Sequence, residues 1–222
     1  MAKEKLDYKK YTKKTAKDFN FLTRAYQIYS LWVIFKPFIF YPFYNFKFIG
    51  DRKKLLGTRL IIAPNHVSYL DPHIVAWSAK RKFAYMAKKE LFEESEYVAK
   101  NISRLGAFAV NREKLEVSTI KTAKEVFKAD WDLCIFPQGG IRKNKKIENI
   151  NKGFIVLAKM MKVPILPMSI SGLEKYNWNL FKRQKVEISF GEPISYELPE
   201  DEILNNWANQ VATMAHYELG EI

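Results

Sequence analysis

From Gly50 onward the chain alternates between two hydrophobic patterns. Short apolar runs such as RLIIA (59–63), AFAV (107–110) and DLCIF (132–136) have the length and bounding residues of buried strands. Further strands are expected at 83–87, 163–170 and 185–190. Between them lie segments in which apolar positions recur every three or four residues, which predicts helices at 70–79, 94–104, 114–128, 153–161 and 199–217. Asp71 and Pro72 sit near the start of the first of these. Pro199 and three acids open the last, which carries Leu204, Trp207, Val211 and Met214 on one face. Strands alternating with helices predict an α/β fold with a mostly parallel central sheet flanked by helices. In such sheets the chemistry gathers in loops beyond the strand ends.

Before Gly50 the pattern is different. Phe19–Phe48 holds 13 of the chain's 33 aromatic residues, three basic residues and no acidic one. Its uncharged stretches, Ala25–Phe35 and Pro37–Phe46, are 11 and 10 residues long, short of the ~20 that a membrane-spanning helix needs. Lys36–Pro37 and Pro42 interrupt them, so a helix, a turn and a second short helix lying in one leaflet are expected. The first 17 residues carry seven lysines, which anionic lipid would attract. Residues 1–48 therefore read as a basic, aromatic membrane-association segment, and 49–222 as the α/β domain. The alternative is a buried helical pair packed on that domain.

Composition adds bounds. At 222 residues and 48% hydrophobic the chain can build a sizeable core. A single cysteine, Cys134, fits a reducing compartment, and no secretory leader is read at the Lys-rich start. The net charge of +13 calls for an anionic partner. Nucleic acid fits poorly: beyond residue 48 basic residues exceed acidic ones by only six, and the aromatics before it are too densely apolar.

Three strand ends carry unusual polar residues: Asn65–His66, Asn111–Arg112, and Gln138–Gly139–Gly140 with Arg142. His66 can take a proton near neutral pH, and Asp71 could fix its tautomer if the chain folds back across the four intervening positions. The same spacing equally suits an Asp71 that caps a helix and a His66 bonded to backbone. A metal site from His66, Asp71 and His73 lacks a further ligand pattern. Cys134, mid-strand, reads as apolar filler rather than a nucleophile. Arginine suits phosphate, and a Gly–Gly turn lets backbone N–H groups approach an anion.

Taken in order, these segments resemble the glycerolipid acyltransferases, in particular the bacterial 1-acyl-glycerol-3-phosphate acyltransferases. NHVSYLD (65–71) resembles that family's Asn-His-x-x-x-x-Asp block, and GAFAVNR (106–112) its Gly-x-x-Phe-(x)-Val-Asp-Arg block. FPQGG (136–140) with Arg142 resembles Phe-Pro-Glu-Gly-Thr-Arg, and Lys152–Gly153 with VPILP (163–167) a fourth block. The resemblance covers residues 45 to 195. It implies a fold of the glycerol-3-phosphate-acyltransferase type and a membrane-seated enzyme on the cytoplasmic face of a bacterial inner membrane, monotopic or peripheral. His66, oriented by Asp71, would deprotonate the free hydroxyl of 1-acyl-glycerol-3-phosphate (lysophosphatidic acid), which would attack the thioester of acyl-CoA or acyl carrier protein and give phosphatidic acid. Asn65, Arg112, Gln138, Gly139, Gly140, Arg142 and Lys143 would bind substrate. No metal or organic cofactor is implied.

The chain departs from that pattern at Asn111, Gln138, Gly140 and the inserted Ile141, which moves Arg142 one place along. Two carboxylates have become amides, so a more positive site is expected. That leaves two further readings: a same-fold acyltransferase for another lyso-lipid or a glycolipid, and an inactive protein that binds membrane surfaces.

Overall fold

The computed structural model describes residues 6–51, 57–111, 116–176 and 179–222. Two short 3-10 turns, Tyr8–Tyr11 and Ala16–Asp18, precede helix α1 (Phe21–Tyr29). A π-helical stretch (Ser30–Phe40) follows directly, then a single turn α2 (Tyr41–Phe43). The remaining strands are β1 (Tyr44–Ile49), β2 (Ile61–Pro64), β3 (Phe83–Lys88), β4 (Ala107–Val110), β5 (Asp132–Cys134), β6 (Lys146–Ile147), β7 (Ile165–Ser171), β8 (Gln184–Phe190) and β9 (Glu218–Leu219). The remaining helices are α3 (Asp71–Ala79), α4 (Glu90–Glu93), α5 (Glu96–Arg104), α6 (Val117–Lys128), α7 (Gly153–Met161) and α8 (Glu200–Ala215). The chain is an α/β protein in which helices pack on mostly parallel sheet. It divides into two compact units.

One unit takes the chain up to Ile28 together with Lys82–Cys134. Its strands run β5–β3–β4, all parallel, with Phe83 opposite Asp132 and Tyr85 opposite Ala107. The Lys-rich start is not simply a free arm. Thr122 Oγ1 donates to Thr12 O and accepts from Lys14 N, and Lys14 Nζ donates to Ser103 O at 2.6 Å. Burial pulls the Lys14 ammonium down to about 8. Gln27 Nε2 donates to Phe83 O and Leu105 O. Gly106 permits this: its φ is +85°, and a Cβ there would lie 3.2 Å from both Gln27 Nε2 and Phe83 O.

The second unit takes Tyr29–Arg81 and Ile135–Ile222. Its strands run β1–β8–β7–β2; β1 is parallel to β8 and β2 to β7. Strands β7 and β8 are antiparallel, and among the described residues between them no crossover helix occurs. The amphipathic α8 buries Ile203, Leu204, Trp207 and Val211, each worth about 1.5–3 kcal/mol. Trp207 Nε1 donates to Ala63 O at 2.8 Å, which fixes the end of β2. A short parallel pair, β6 and β9, stands apart from the main strands.

Two expectations about the aromatic segment need correction. The turn at Lys36–Pro37 is absent; Pro37 lies inside a helical run whose widening into π geometry accommodates it. Tyr44–Ile49, taken with the membrane segment, is strand β1, so the composition shift near residue 48 falls within a strand. Phe40 and Tyr44 are fully buried.

Candidate active site

The site is built where β2 ends. Asn65, fully buried, donates Nδ2 to Ile170 O (2.9 Å) and accepts Ile170 N on Oδ1 (2.7 Å), so both ends of its amide clamp the chain to β7. The next residue, His66, then emerges at the strand mouth. Asp71 opens α3, a favourable place for an acid. It folds back to accept three hydrogen bonds on Oδ2, from Val67 N (2.7 Å), Ser68 N (2.8 Å) and His66 Nδ1 (2.7 Å). Ser68 Oγ accepts Leu70 N at 3.0 Å and completes the turn. The local backbone thus brings together two side chains that a regular helix would keep apart.

The carboxylate only accepts, so His66 Nδ1 carries the hydrogen and Nε2 is left as the basic nitrogen. The ring stacks on Phe136 with centroids 4.1 Å apart and is 15% exposed, so small molecules can reach it. Asp71 is fully buried. Burial pushes its carboxyl up, and the bonds from His66, Ser68 N and Val67 N pull the other way. An orienting acid of this kind holds the imidazole and stabilises the imidazolium that forms when Nε2 takes a proton.

The loop after Phe136 sits against this turn. Ile135 N donates to Ile62 O, and Arg142 N donates to His66 O at 2.7 Å. Gly139 makes the bend at φ +66°. Gly140 faces open space, so a side chain would fit there. Gln138, expected to bind substrate, is buried and donates Nε2 to Lys146 O at 3.0 Å. An ionised glutamate could not make that bond, so the amide here braces the loop. Asn65 is likewise a brace. Arg142 and Lys143 are exposed. Arg112 lies outside the described residues.

The sequence reading missed two neighbours. Phe136 supports the His66 ring. Tyr176 OH is 3.1 Å from Ser68 Oγ, and Lys143 Nζ lies 5.1 Å over the Tyr176 ring. Tyr176 is 108 positions from Ser68, and no local pattern marks it. His73 stacks on Phe35 at 3.6 Å, and burial pulls it down to about 4. His216 ends α8 beside Glu187. Among the described residues no group of three His, Cys, Asp or Glu is placed to hold a metal ion. A cleft of about 520 Å³ lined by Asn45, Lys47, Gly172, Glu187 and His216 shares no residue with this site. The site is identified by His–Asp geometry, not by cavity size.

Comparison with known proteins places the chain in a family. The pattern of the Acyltransferase family matches residues 45–171. The 1-acyl-sn-glycerol-3-phosphate acyltransferase of Streptococcus pneumoniae is 34% identical over 69% of this chain and 58% of its own length. That of Bacillus subtilis is 34% identical over 50% of this chain and 53% of its own. The chain thus spans just over half the length of these curated relatives. The crystal structure of the Thermotoga maritima LPA acyltransferase PlsC superposes with a TM-score of 0.61 at 20% identity, over 87% of this chain and 90% of that one, which shows a shared fold. With the matched pattern running from β1 through the His66 turn and the Gln138 loop to the end of β7, this chain belongs to the acyltransferase family.

Proposed function

We propose that the protein transfers a fatty acyl group from a thioester donor, acyl-CoA or acyl carrier protein, to the free hydroxyl of 1-acyl-glycerol-3-phosphate, giving phosphatidic acid. The observation that carries this is His66 with Nδ1 held by Asp71, its Nε2 meeting no hydrogen-bond partner among the described residues. The names of the relatives supply the acceptor. The acceptor oxygen attacks the thioester carbonyl; the C–O bond forms, the C–S bond breaks, and Nε2 carries the proton from the hydroxyl to the departing thiolate. Arg142 and Lys143 offer cations to the acceptor's phosphate, and Arg112 keeps the role that the family resemblance implies. The reaction is run without a metal or organic cofactor.

The substrate is lipid, and we place the enzyme on the cytoplasmic face of a bacterial inner membrane, bound peripherally or in one leaflet. Among the described residues no helix is long and apolar enough to cross a membrane. Trp32, Val33, Ile34, Phe38 and Tyr41 are instead exposed along the π-helical stretch and its end, an apolar surface suited to a lipid interface. A second reading, another lyso-lipid or glycolipid acceptor, is favoured by Asn111, where the family pattern has a carboxylate.

The test is acyl transfer from a palmitoyl or oleoyl thioester to 1-acyl-glycerol-3-phosphate in vesicles, with His66→Ala alongside. Product from the wild type and a loss of at least ~100-fold in the variant is expected. Equal product from both would remove His66 from the mechanism. Product only with other lyso-lipids would establish the second reading.

A further inference from the structure

The inner face of the Ser30–Phe40 stretch is anchored: Phe35 stacks on His73, and Phe40 packs on Trp77 at 5.4 Å and Phe46 at 5.3 Å. The outer face shows Trp32 and Phe38. Lys36 lies at the border and is unusual on three counts. It is only 4% exposed. Its ammonium sits in a cage of rings, 3.3 Å from the centroid of Trp32, 5.3 Å from Trp77 and 5.4 Å from Tyr41. Among the described residues no carboxylate or hydrogen-bond acceptor pairs with that ammonium, and the sequence has no acidic residue from Phe19 to Gly50.

A buried ammonium without a counter-charge is costly. Ring faces offset part of that cost, but they leave its N–H donors without oxygen partners. Two of the three rings, Trp32 and Tyr41, are themselves 57% and 53% exposed, so the cage borders the outer face and is walled there by side chains that solvent or lipid reaches. Tryptophan and tyrosine favour the headgroup depth of a bilayer, where phosphate oxygens are the abundant acceptors. The π geometry that sets Lys36 between Trp32 and Tyr41 is itself a feature concentrated at functional sites.

We infer that Lys36 is a binding point for the phosphate of an anionic bilayer phospholipid, with Trp32 and Tyr41 seating the headgroup on either side. This rests on the membrane-association reading above. It goes beyond it by assigning a discrete anion site rather than diffuse attraction. The site lies against Trp77 of α3, the helix that Asp71 begins, so a seated headgroup sets the depth of the element that orients His66.

The experiment is vesicle sedimentation of the full chain at about 0.5 M salt, where a Debye length of roughly 4 Å suppresses diffuse attraction by surface lysines. Vesicles of phosphatidylcholine alone are compared with vesicles containing about one-third phosphatidylglycerol. The wild type is expected to keep about a five-fold preference for the anionic vesicles. Lys36→Met, whose flexible side chain fits among rings, should lose that preference yet still bind phosphatidylcholine. Lys36→Arg and a Lys9, Lys10, Lys13 triple methionine variant should keep it. A wild type that binds both vesicles equally, or a Lys36→Met that keeps the preference, overturns the site. A Lys36→Met with a lower Tm and equal loss on both vesicles makes Lys36 a structural strut and also overturns it. A wild type that binds neither vesicle overturns membrane association itself, and this inference with it.

Discussion

The His66 turn and the aromatic stretch Ser30–Phe40 belong to one compact unit, yet they are specified in opposite ways. In the turn the partners of Asp71 Oδ2 are at most five residues away, and it gathers His66 Nδ1 and two backbone N–H groups by local chain geometry. In the aromatic stretch the partners come from α3 and β1, and residues of one type are sorted by position: Phe40 is buried while Phe38 is 70% exposed. A short polar motif therefore carries its own geometry, whereas an aromatic-rich segment acquires an inside and an outside only from what packs against it.

The largest effect expected is on the turn. Asp71→Asn still fills the space but offers no carboxylate to the imidazole, so kcat should fall by on the order of 10²–10⁴ with little change in KM. Steady-state kinetics beside a Tm measurement would show whether the turn survives; an intact Tm with wild-type kcat would break the assignment of Asp71 as the orienting group. Next comes the exposed side of the aromatic stretch. Phe38→Asp should reduce partition into neutral vesicles by about ten-fold or more while leaving turnover on detergent-dispersed substrate within about two-fold, since burying a Phe is worth about 1.5–3 kcal/mol. If membrane partition were unchanged, that face is not the docking side.

The inner side makes a smaller, pH-dependent contribution. His73 is held neutral by burial to about pH 4, while in the unfolded chain it titrates near 6.5. The unfolded state then binds more protons between those values, so stability is full above pH 6.5 and falls as pH drops toward 4. Between pH 7 and pH 5 the loss from this group is about 1–2 kcal/mol, read as a shift in the urea midpoint. His73→Leu should flatten that slope, and an unchanged slope would assign the acid limb to other groups.

The last prediction sharpens the active-site side. Gln138→Glu replaces the only donor that reaches Lys146 O from that side chain with a buried acceptor, so the brace is lost at a cost of about 1–3 kcal/mol. A lower Tm with unchanged acceptor preference is expected. A changed preference at unchanged Tm would return Gln138 to the substrate and support the expectation of a more positive site.

How much could be read beforehand differs between elements for the same reason. The strands at 83–88 and 107–110 and the helix at 153–161 were legible because an apolar run or stripe must be buried whatever its partner. His66 and Asp71 were legible as candidates, though spacing alone left a capping Asp equally open. Strand β1 was hidden, since its alternating YNFKFI continues an aromatic segment and only pairing with β8 makes it a strand. The antiparallel β7–β8 pair was equally hidden, because strand direction is set by the route of the connection. Asn65 and Gln138 looked like ligands because amides in a motif suggest contact with substrate. Their partners, Ile170 and Lys146, are backbone groups that no motif displays.

The sequence by itself determined the alternation of strands and helices, the excess of positive charge, and His66 and Asp71 as a candidate pair, because each depends on residue type and near neighbours. Tertiary structure alone decided which aromatics face outward, that Lys36 is enclosed by Trp32, Tyr41 and Trp77, and that Tyr176 reaches Ser68. Burial and long-range hydrogen bonds are properties of the packed chain. A side chain's environment is fixed only when distant segments arrive beside it.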